Sequence, residues 1–286
     1  MPLQVGLKVP ELPEVETVRR GLDSRLPGKR IVFVEVLRPD SIGHPTARQF
    51  CRLLPGHLFA SVARRGKYLL ASFDNGAGLA VHLRMSGRLL VAEPGTPAGS
   101  HLRVRMRLDD GLELRFEDMR VFGRLWYVPY GRAFEEVIPG LAELGPEPLA
   151  GFAGRHLKEA FRNRRQAVKS ALLDQTLVSG IGNIYADESL FEAGIHPAKS
   201  ACELKAAELN CLAEKIRLVL SRAIELGGSS IRDYRDSYGV NGSYQHQSLV
   251  YGRAGQPCRR CGRKVEKVKL SGRSTHFCPH CQPPGG

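Results

Sequence analysis

PCRRCGRKVEKVKLSGRSTHFCPHCQ, Pro257 to Gln282, sets two Cys-x-x-Cys pairs sixteen residues apart. Four thiolates in two knuckles match the tetrahedral coordination of a zinc ribbon, and a metal held by four protein ligands has no open position for catalysis. The spacing predicts one structural Zn²⁺ on Cys258, Cys261, Cys278 and Cys281. Two redox-active pairs are the alternative, but they would need a βαβ context that the flanking sequence lacks. Arg253, Arg259, Arg260, Arg263, Lys264, Lys267, Lys269 and Arg273 surround the cysteines against one acid, Glu266. The hairpin is therefore expected to offer a basic finger to phosphates, a solvated basic face being the bland alternative.

Upstream, a long irregular stretch, GGSSIRDYRDSYGVNGSYQHQ, follows a helical pattern. Leu209, Leu212, Ile216, Leu220 and Ile224 recur at helical spacing before a Gly227-Gly228 stop. Leu157, Phe161, Val168 and Leu172 do the same nearer the centre of the chain. Between these runs, LVSGIGNIYADESLF places a Gly-x-Gly-Asn turn between two apolar helical segments. Glycines let backbone N–H groups approach an anion, and the following helix adds its positive end, so a phosphate could sit beside Asn183. Such turns are common; Arg164, Arg165 and Lys169 just upstream strengthen the reading.

From about Arg30 to Val128 the pattern is that of strands. LAVHLRMSGRLLV alternates Leu79, Val81, Leu83 and Met85 against Ala80, His82 and Arg84, and VRMRLDDGLELRF alternates about an Asp110-Gly111 hairpin turn. A sandwich or barrel of antiparallel strands is expected, with GTPAGS, Gly95 to Ser100, as a mobile loop. Lys67 in RRGKYLL reads on its own as a surface lysine flanking a strand, and Met85 as core.

The bulk composition agrees with a nucleic-acid partner. The 286 residues carry 42 Lys and Arg against 29 Asp and Glu, a net charge of +13, which points to a polyanion. No stretch approaches the roughly 18 apolar residues of a membrane helix, and no export signal is evident, so an intracellular, cytoplasmic protein is expected. Cys51, Cys202 and Cys211, the three cysteines outside the pairs, are expected as buried reduced thiols.

At the front stands KVPELPEVETVRRGL, Lys8 to Leu22. Pro13 suits a first helical turn, and Glu14 and Glu16 complement the positive end of the helix dipole. Pro10 and Glu11 have no such explanation. A proline with a free N-terminus is a secondary amine that forms a cationic iminium with an aldehyde carbon, an electron sink for elimination, and an adjacent carboxylic acid could move the protons. At an internal position the same nitrogen is an inert tertiary amide.

PELPEVETVRRGL, HLRMSG, DMRVFGRL, VSGIGNIYADESLFEAGIHP, VYGRAGQPCRRCG and GRSTHFCPHCQ together resemble the bacterial formamidopyrimidine-DNA glycosylases, in that family's order, from Pro10 to about Gln282. The related endonuclease VIII usually opens Pro-Glu-Gly-Pro-Glu, and Leu12 favours the first branch. The resemblance implies an α+β chain: an N-terminal antiparallel β-sandwich domain, then a helix-two-turn-helix domain with the zinc-ribbon hairpin. The expected boundaries are an extension over 1–9, the sandwich over 10–135, the helical domain over 145–235 and the zinc finger over 248–282. It further implies a bifunctional enzyme, acting as a monomer, that removes 8-oxoguanine and formamidopyrimidines from damaged duplex DNA and cuts the abasic strand by β,δ-elimination. Pro10 would be the Schiff-base nucleophile, Glu11 the acid and base on the sugar, Lys67 a catalytic lysine, and Arg273 the δ-elimination arginine. Met85, Arg120 and Phe122 would fill the gap left by the extruded base, with His101, Arg165 and Asn183 as further DNA contacts, to which the place of Lys169 beside the glycine turn adds a phosphate contact. The chain departs from the family at Met119, Val121 and Tyr238, and at the nine residues that acylate Pro10. Val9 precedes Pro10, and a valine codon read as an initiator methionine, later removed, would free the amine. A DNA-binding protein without catalysis, and an enzyme for oxidised pyrimidines, are the two other classes.

Overall fold

The computed structural model describes residues 9–229 and 242–284, so Tyr238 and residues 1–8 lie outside the described residues. These residues fall into two compact units, one within Met1–Ala142 and Gly227–Gly242, the other within Glu143–Leu226 and Ser243–Gly286. Among them no helix is long and apolar enough to cross a membrane.

The first unit opens with α1 (Leu12–Asp23), whose Leu12, Val15, Val18 and Leu22 are buried on one face. Then come β1 (Ile31–Val36), β2 (Ile42–His44), α2 (Ala47–Leu53), β3 (Phe59–Arg65), β4 (Tyr68–Phe73), β5 (Gly78–His82), β6 (Gly87–Ala92), β7 (Leu102–Leu108), β8 (Glu113–Asp118) and β9 (Arg124–Val128). Two short helices, α3 (Phe134–Val137) and α4 (Pro139–Ala142), close it. The strands make a four-stranded sheet of order β1-β7-β8-β6 and a five-stranded sheet of order β2-β9-β5-β4-β3. All pairings are antiparallel except that of β2 with β9, so the second sheet is mixed at one edge. Val34, Val104, Met106 and Phe116 from the first sheet, Phe59, Val62, Leu79 and Leu125 from the second, and Val15, Val18 and Leu22 of α1 share one apolar cluster. Burying each such side chain contributes roughly 1.5 to 3 kcal/mol, which makes this cluster the main stabilising element of the unit.

Two expectations about this unit, and one about the isolated cysteines of both units, change. The alternation in LAVHL does not divide core from solvent, because β5 is central in its sheet and buried at every position. On the face away from the apolar cluster, Ala80 and His82 pair with Trp126 and Tyr68 on the flanking strands, whose large rings cover them. GTPAGS is exposed but held, for the buried Arg115 guanidinium donates to the carbonyls of Thr96 at 2.7 Å and Pro97 at 3.2 Å. Of the isolated cysteines, Cys202 is exposed and Cys51 and Cys211 only half-buried.

The second unit contains α5 (Gly154–Ala160), α6 (Val168–Leu173), α7 (Asn183–Glu192), α8 (Ala206–Glu225) and the hairpin of β10 (Glu266–Leu270) with β11 (Arg273–Phe277). Helix α8 buries the expected Leu209, Leu212, Ile216, Leu220 and Ile224. It stops where Gly227 and Gly228 take φ of +70° and +77°, a region other residues enter only at a cost. Helix α7 is covered on all sides, with Asp187, Glu188 and Ser189 as buried as its apolar residues.

Candidate functional site

In the first unit, Pro10 and Glu11 are buried immediately ahead of α1, with Glu11 as its N-cap. Glu14 does more than complement the dipole. One of its carboxylate oxygens accepts the Glu11 N–H at 2.9 Å and the other the Ser229 N–H at 2.8 Å. Ser229, just after Gly228, is thus pinned to the start of α1. Two residues on, Glu16 accepts from Arg64 of β3 at 3.0 Å, and the same guanidinium donates to the Gly66 carbonyl at 3.0 Å. Burial would raise the Glu16 pKa, but the bonds from Arg19 and Arg64 outweigh it and hold the carboxyl below its usual range. Lys67 follows in the turn between β3 and β4, half-buried. Helix α1 and the lysine turn are therefore clamped together by one largely buried arginine.

His82, which sequence reasoning passed over as an outward strand residue, belongs beside Lys67. It is 8% exposed. Burial, then the charges of Arg84 and Lys67, push its pKa down to about 3. Its Nδ1 accepts the Arg84 N–H at 3.0 Å, so the proton of the neutral ring resides on Nε2, a donor. The only sequence signal was its place two residues ahead of Arg84 in HLRMSG.

Met85, Arg120 and Phe122 are brought together. The Arg120 guanidinium donates to the Met85 Sδ at 3.3 Å and lies 5.7 Å from the Phe122 ring centre. Phe122 is 52% exposed, a large apolar ring held out from the surface. His101 is exposed, and its carbonyl accepts the Asp118 N–H at 2.9 Å.

In the second unit, Asn183 is the first residue of α7, after the Gly180-Ile181-Gly182 turn. Gln175 shapes that turn: its amide donates to the Ile181 carbonyl at 2.8 Å and its oxygen accepts the Gly180 N–H at 2.9 Å. The Asn183 Oδ1 is buried with no hydrogen-bond partner among the described residues, and Arg165 is exposed. Lys169 is the correction. Expected at a phosphate, it is 1% exposed, paired with Asp187 at 2.7 Å, and donates to the Ser274 carbonyl at 2.7 Å and the Thr275 hydroxyl at 2.9 Å. A buried charge so satisfied cannot reach solvent; it joins α6 and α7 to β11. The other Asp187 oxygen accepts the His276 N–H at 2.8 Å. Next to it, Glu188 accepts from the N–H groups of Leu249, Val250 and Tyr251 at 2.8 to 2.9 Å; burial nevertheless raises its pKa. The single helix α7 thus fixes both ends of the cysteine module.

The basic finger is smaller than its sequence suggested. Arg260 pairs with Glu192 at 3.0 Å and stacks on Phe191, Arg253 donates to the Leu249 and Pro257 carbonyls, and Arg259 to that of His246. Arg259 and Arg260 stay exposed despite these contacts, as do Arg263, Lys264, Lys267, Lys269 and Arg273. The four cysteine Sγ atoms lie within 4.8 Å of one another, with Cys261 and Cys278 at 3.5 Å and Cys258 and Cys281 at 4.0 Å. Sulfurs placed tetrahedrally about 2.3 Å from Zn²⁺ stand about 3.8 Å apart, so the set fits the ion. The Arg260 N–H donating to the Cys258 Sγ at 3.4 Å is the bond that such a knuckle offers a thiolate.

Three family models match in succession: the formamidopyrimidine-DNA glycosylase N-terminal domain over residues 9–125, the H2TH domain of the same enzymes over 144–235, and the zinc finger found in these enzymes and in IleRS over 255–284. With that zinc-finger match, Cys258, Cys261, Cys278 and Cys281 are the ligands of one structural zinc. The formamidopyrimidine-DNA glycosylase of Gloeobacter violaceus is 54% identical over 277 residues, 96% of this chain and 98% of that one. Among solved structures, a Lactococcus lactis mutant enzyme in complex with a Fapy-dG containing DNA is 38% identical, with a TM-score of 0.88 over 96% of this chain and 100% of the other. The wild-type Lactococcus lactis enzyme with an oxidized pyrimidine containing DNA is 37% identical, with a TM-score of 0.87 over 96% and 100%.

Proposed function

The chain belongs to the formamidopyrimidine-DNA glycosylase family, and on that premise we propose that it excises oxidised purines, 8-oxoguanine and formamidopyrimidines, from duplex DNA and then cleaves the abasic strand by β,δ-elimination. The observation that carries this reading is the pairing of a buried Pro10-Glu11 start with a lysine turn clamped to the same helix through Arg64.

The Pro10 nitrogen attacks C1′ of the damaged nucleotide, the C1′–N bond breaks with its electrons going to the protonated base, and the opened sugar is left as an iminium on the proline. Glu11 protonates the sugar ring oxygen and takes up protons in the later steps. The iminium withdraws electrons, so a C2′ proton leaves and the 3′ phosphate departs; a second elimination releases the 5′ phosphate, with Arg273 beside it. Lys67 presents a positive group to the strand, with the buried, neutral His82 beside it. Arg165, Asn183 and His101 contact the backbone, and Met85, Arg120 and Phe122 occupy the space of the extruded base, offsetting an unstacking cost of a few kcal/mol. Zinc supplies no reacting group; it holds the hairpin that carries Arg273.

This chemistry needs Pro10 as a free amine, because an acylated nitrogen has no lone pair to offer. The reading therefore includes a working form that begins at Pro10, a monomer in the cytoplasm at the chromosome. Duplexes carrying 8-oxoguanine should be cut to leave phosphates on both ends of the gap. A second reading, action on oxidised pyrimidines, is favoured by the neighbour bound to such DNA. Faster cutting of thymine glycol than of 8-oxoguanine in the same duplex would replace the first reading with the second.

A further inference from the structure

Asp118 ends β8 fully buried, and among the described residues no basic side chain forms a salt bridge with it. Its partners are instead three groups at the wedge. One carboxylate oxygen accepts from the Ser86 hydroxyl and from the Arg120 N–H, the latter at 3.1 Å, and the other accepts the Gly123 N–H at 2.8 Å. The Ser86 oxygen also accepts the Arg120 N–H at 3.1 Å. The backbone of Asp118 ties in a third segment, its N–H to the His101 carbonyl at 2.9 Å and its carbonyl to the Arg103 side chain at 2.7 Å. The residue thus joins the turns bearing Met85, His101 and Arg120 with Phe122.

The loop it grips is strained. Val121, between Arg120 and Phe122, has φ of +57°, a conformation costing a β-branched residue on the order of 1 to 3 kcal/mol. Gly123 admits no larger residue, since a Cβ there would come within 2.5 Å of the Phe116 ring and 3.1 Å of the His82 carbonyl. Arg124 closes the loop from behind, donating to the Val121 and Gly123 carbonyls at 2.9 Å each. A strained segment persists only where its surroundings over-determine it. Here the fixing groups are Asp118, Ser86 and Arg124.

We propose that Asp118, acting through Ser86, is the positioning residue that assembles Met85, Arg120 and Phe122 into a finished wedge before DNA arrives. This rests on the reading above that these three side chains wedge into the space of the extruded base. Ordering a loop at the moment of binding would cost roughly 1 to 2 kcal/mol per backbone residue, subtracted from the energy available for extrusion. With the loop already ordered, contact energy goes to opening the duplex.

The test uses the zinc-loaded protein that forms a borohydride-trapped adduct, in wild-type, Ser86→Ala, Asp118→Asn and Phe122→Ala forms. Stopped-flow fluorescence of a 2-aminopurine beside 8-oxoguanine reads duplex opening, and strand cleavage at a preformed abasic site, where no base must be extruded, reads the later chemistry. Ser86→Ala should slow opening about fivefold, the loss of one net hydrogen bond, and leave abasic cleavage within about twofold. Asp118→Asn should slow opening more. Equal losses on both substrates would make Asp118 a general support of the fold and overturn the proposal, as would normal opening in Ser86→Ala and Asp118→Asn while Phe122→Ala is slow. Normal opening in Phe122→Ala would remove the wedge reading itself, and the proposal with it.

Discussion

Lys169 shows how far a single residue's type and neighbourhood mislead. In sequence it stands four residues after Arg165 and ahead of a glycine turn, which makes it one of a basic set; only the packing of β11 against α6 and α7 turns it inward. Nothing local to the sequence records that Ser274, Thr275 and Asp187 will surround it. Lys169→Met should therefore destabilise the protein by about 3 to 5 kcal/mol, since Asp187 would remain buried without its cation, and should leave the salt dependence of DNA binding unaltered. Denaturant unfolding with DNA titrations at several salt concentrations checks both. Val121 behaves oppositely: relief of its +57° backbone angle should make Val121→Gly more stable by about 1 kcal/mol. His82 adds a pH signature. Its folded pKa of about 3 lies below the unfolded value near 6.5, so the unfolded state alone takes up the proton between them. The histidine's contribution is complete above about pH 6.5 and declines by up to about 1.4 kcal/mol per unit as pH falls toward 3, a slope that His82→Gln should remove from the stability profile.

Elements were legible in the sequence where one physical requirement dominated. The glycine stop of α8, the hairpin at Asp110-Gly111 and the paired cysteines each rest on local geometry, and each is found. The start of helix α1 was recognisable from Pro13 and the acidic Glu14 and Glu16, yet the second task of Glu14, holding the Ser229 N–H, depends on a residue 215 positions away. Strand β5 was misjudged in its facing because a central strand between two aromatic-bearing neighbours is buried on both sides. Of the elements, the cysteine hairpin depends most on something outside the chain. Structural zinc in small modules contributes roughly 10 to 16 kcal/mol of apparent binding, so Cys278→Ser should lose the metal and the β10–β11 hairpin together, and DNA cleavage with them. A metal assay that still finds one equivalent of zinc in that variant would contradict the four-cysteine site.

For the whole molecule, the +13 net charge and the family match agree on a polyanionic partner. With Lys169 withdrawn, Arg165 and the exposed hairpin cations would neutralise about four phosphates, and log K should fall against log salt with a slope of about −3.6. Binding flat in salt would remove the electrostatic basis of the account. Its chemical basis is the amine at Pro10. A free α-amine with a pKa near 7.7 to 8 is partly unprotonated at neutral pH and can attack a sugar, whereas the amide nitrogen behind Val9 cannot. The decisive measurement is the intact mass of the native protein combined with peptide mapping of the adduct that borohydride traps on a duplex containing 8-oxoguanine. A chain beginning at Pro10 with the DNA remnant on that proline is the expected result; an active chain that retains residues ahead of Pro10 and is trapped at another residue would contradict it.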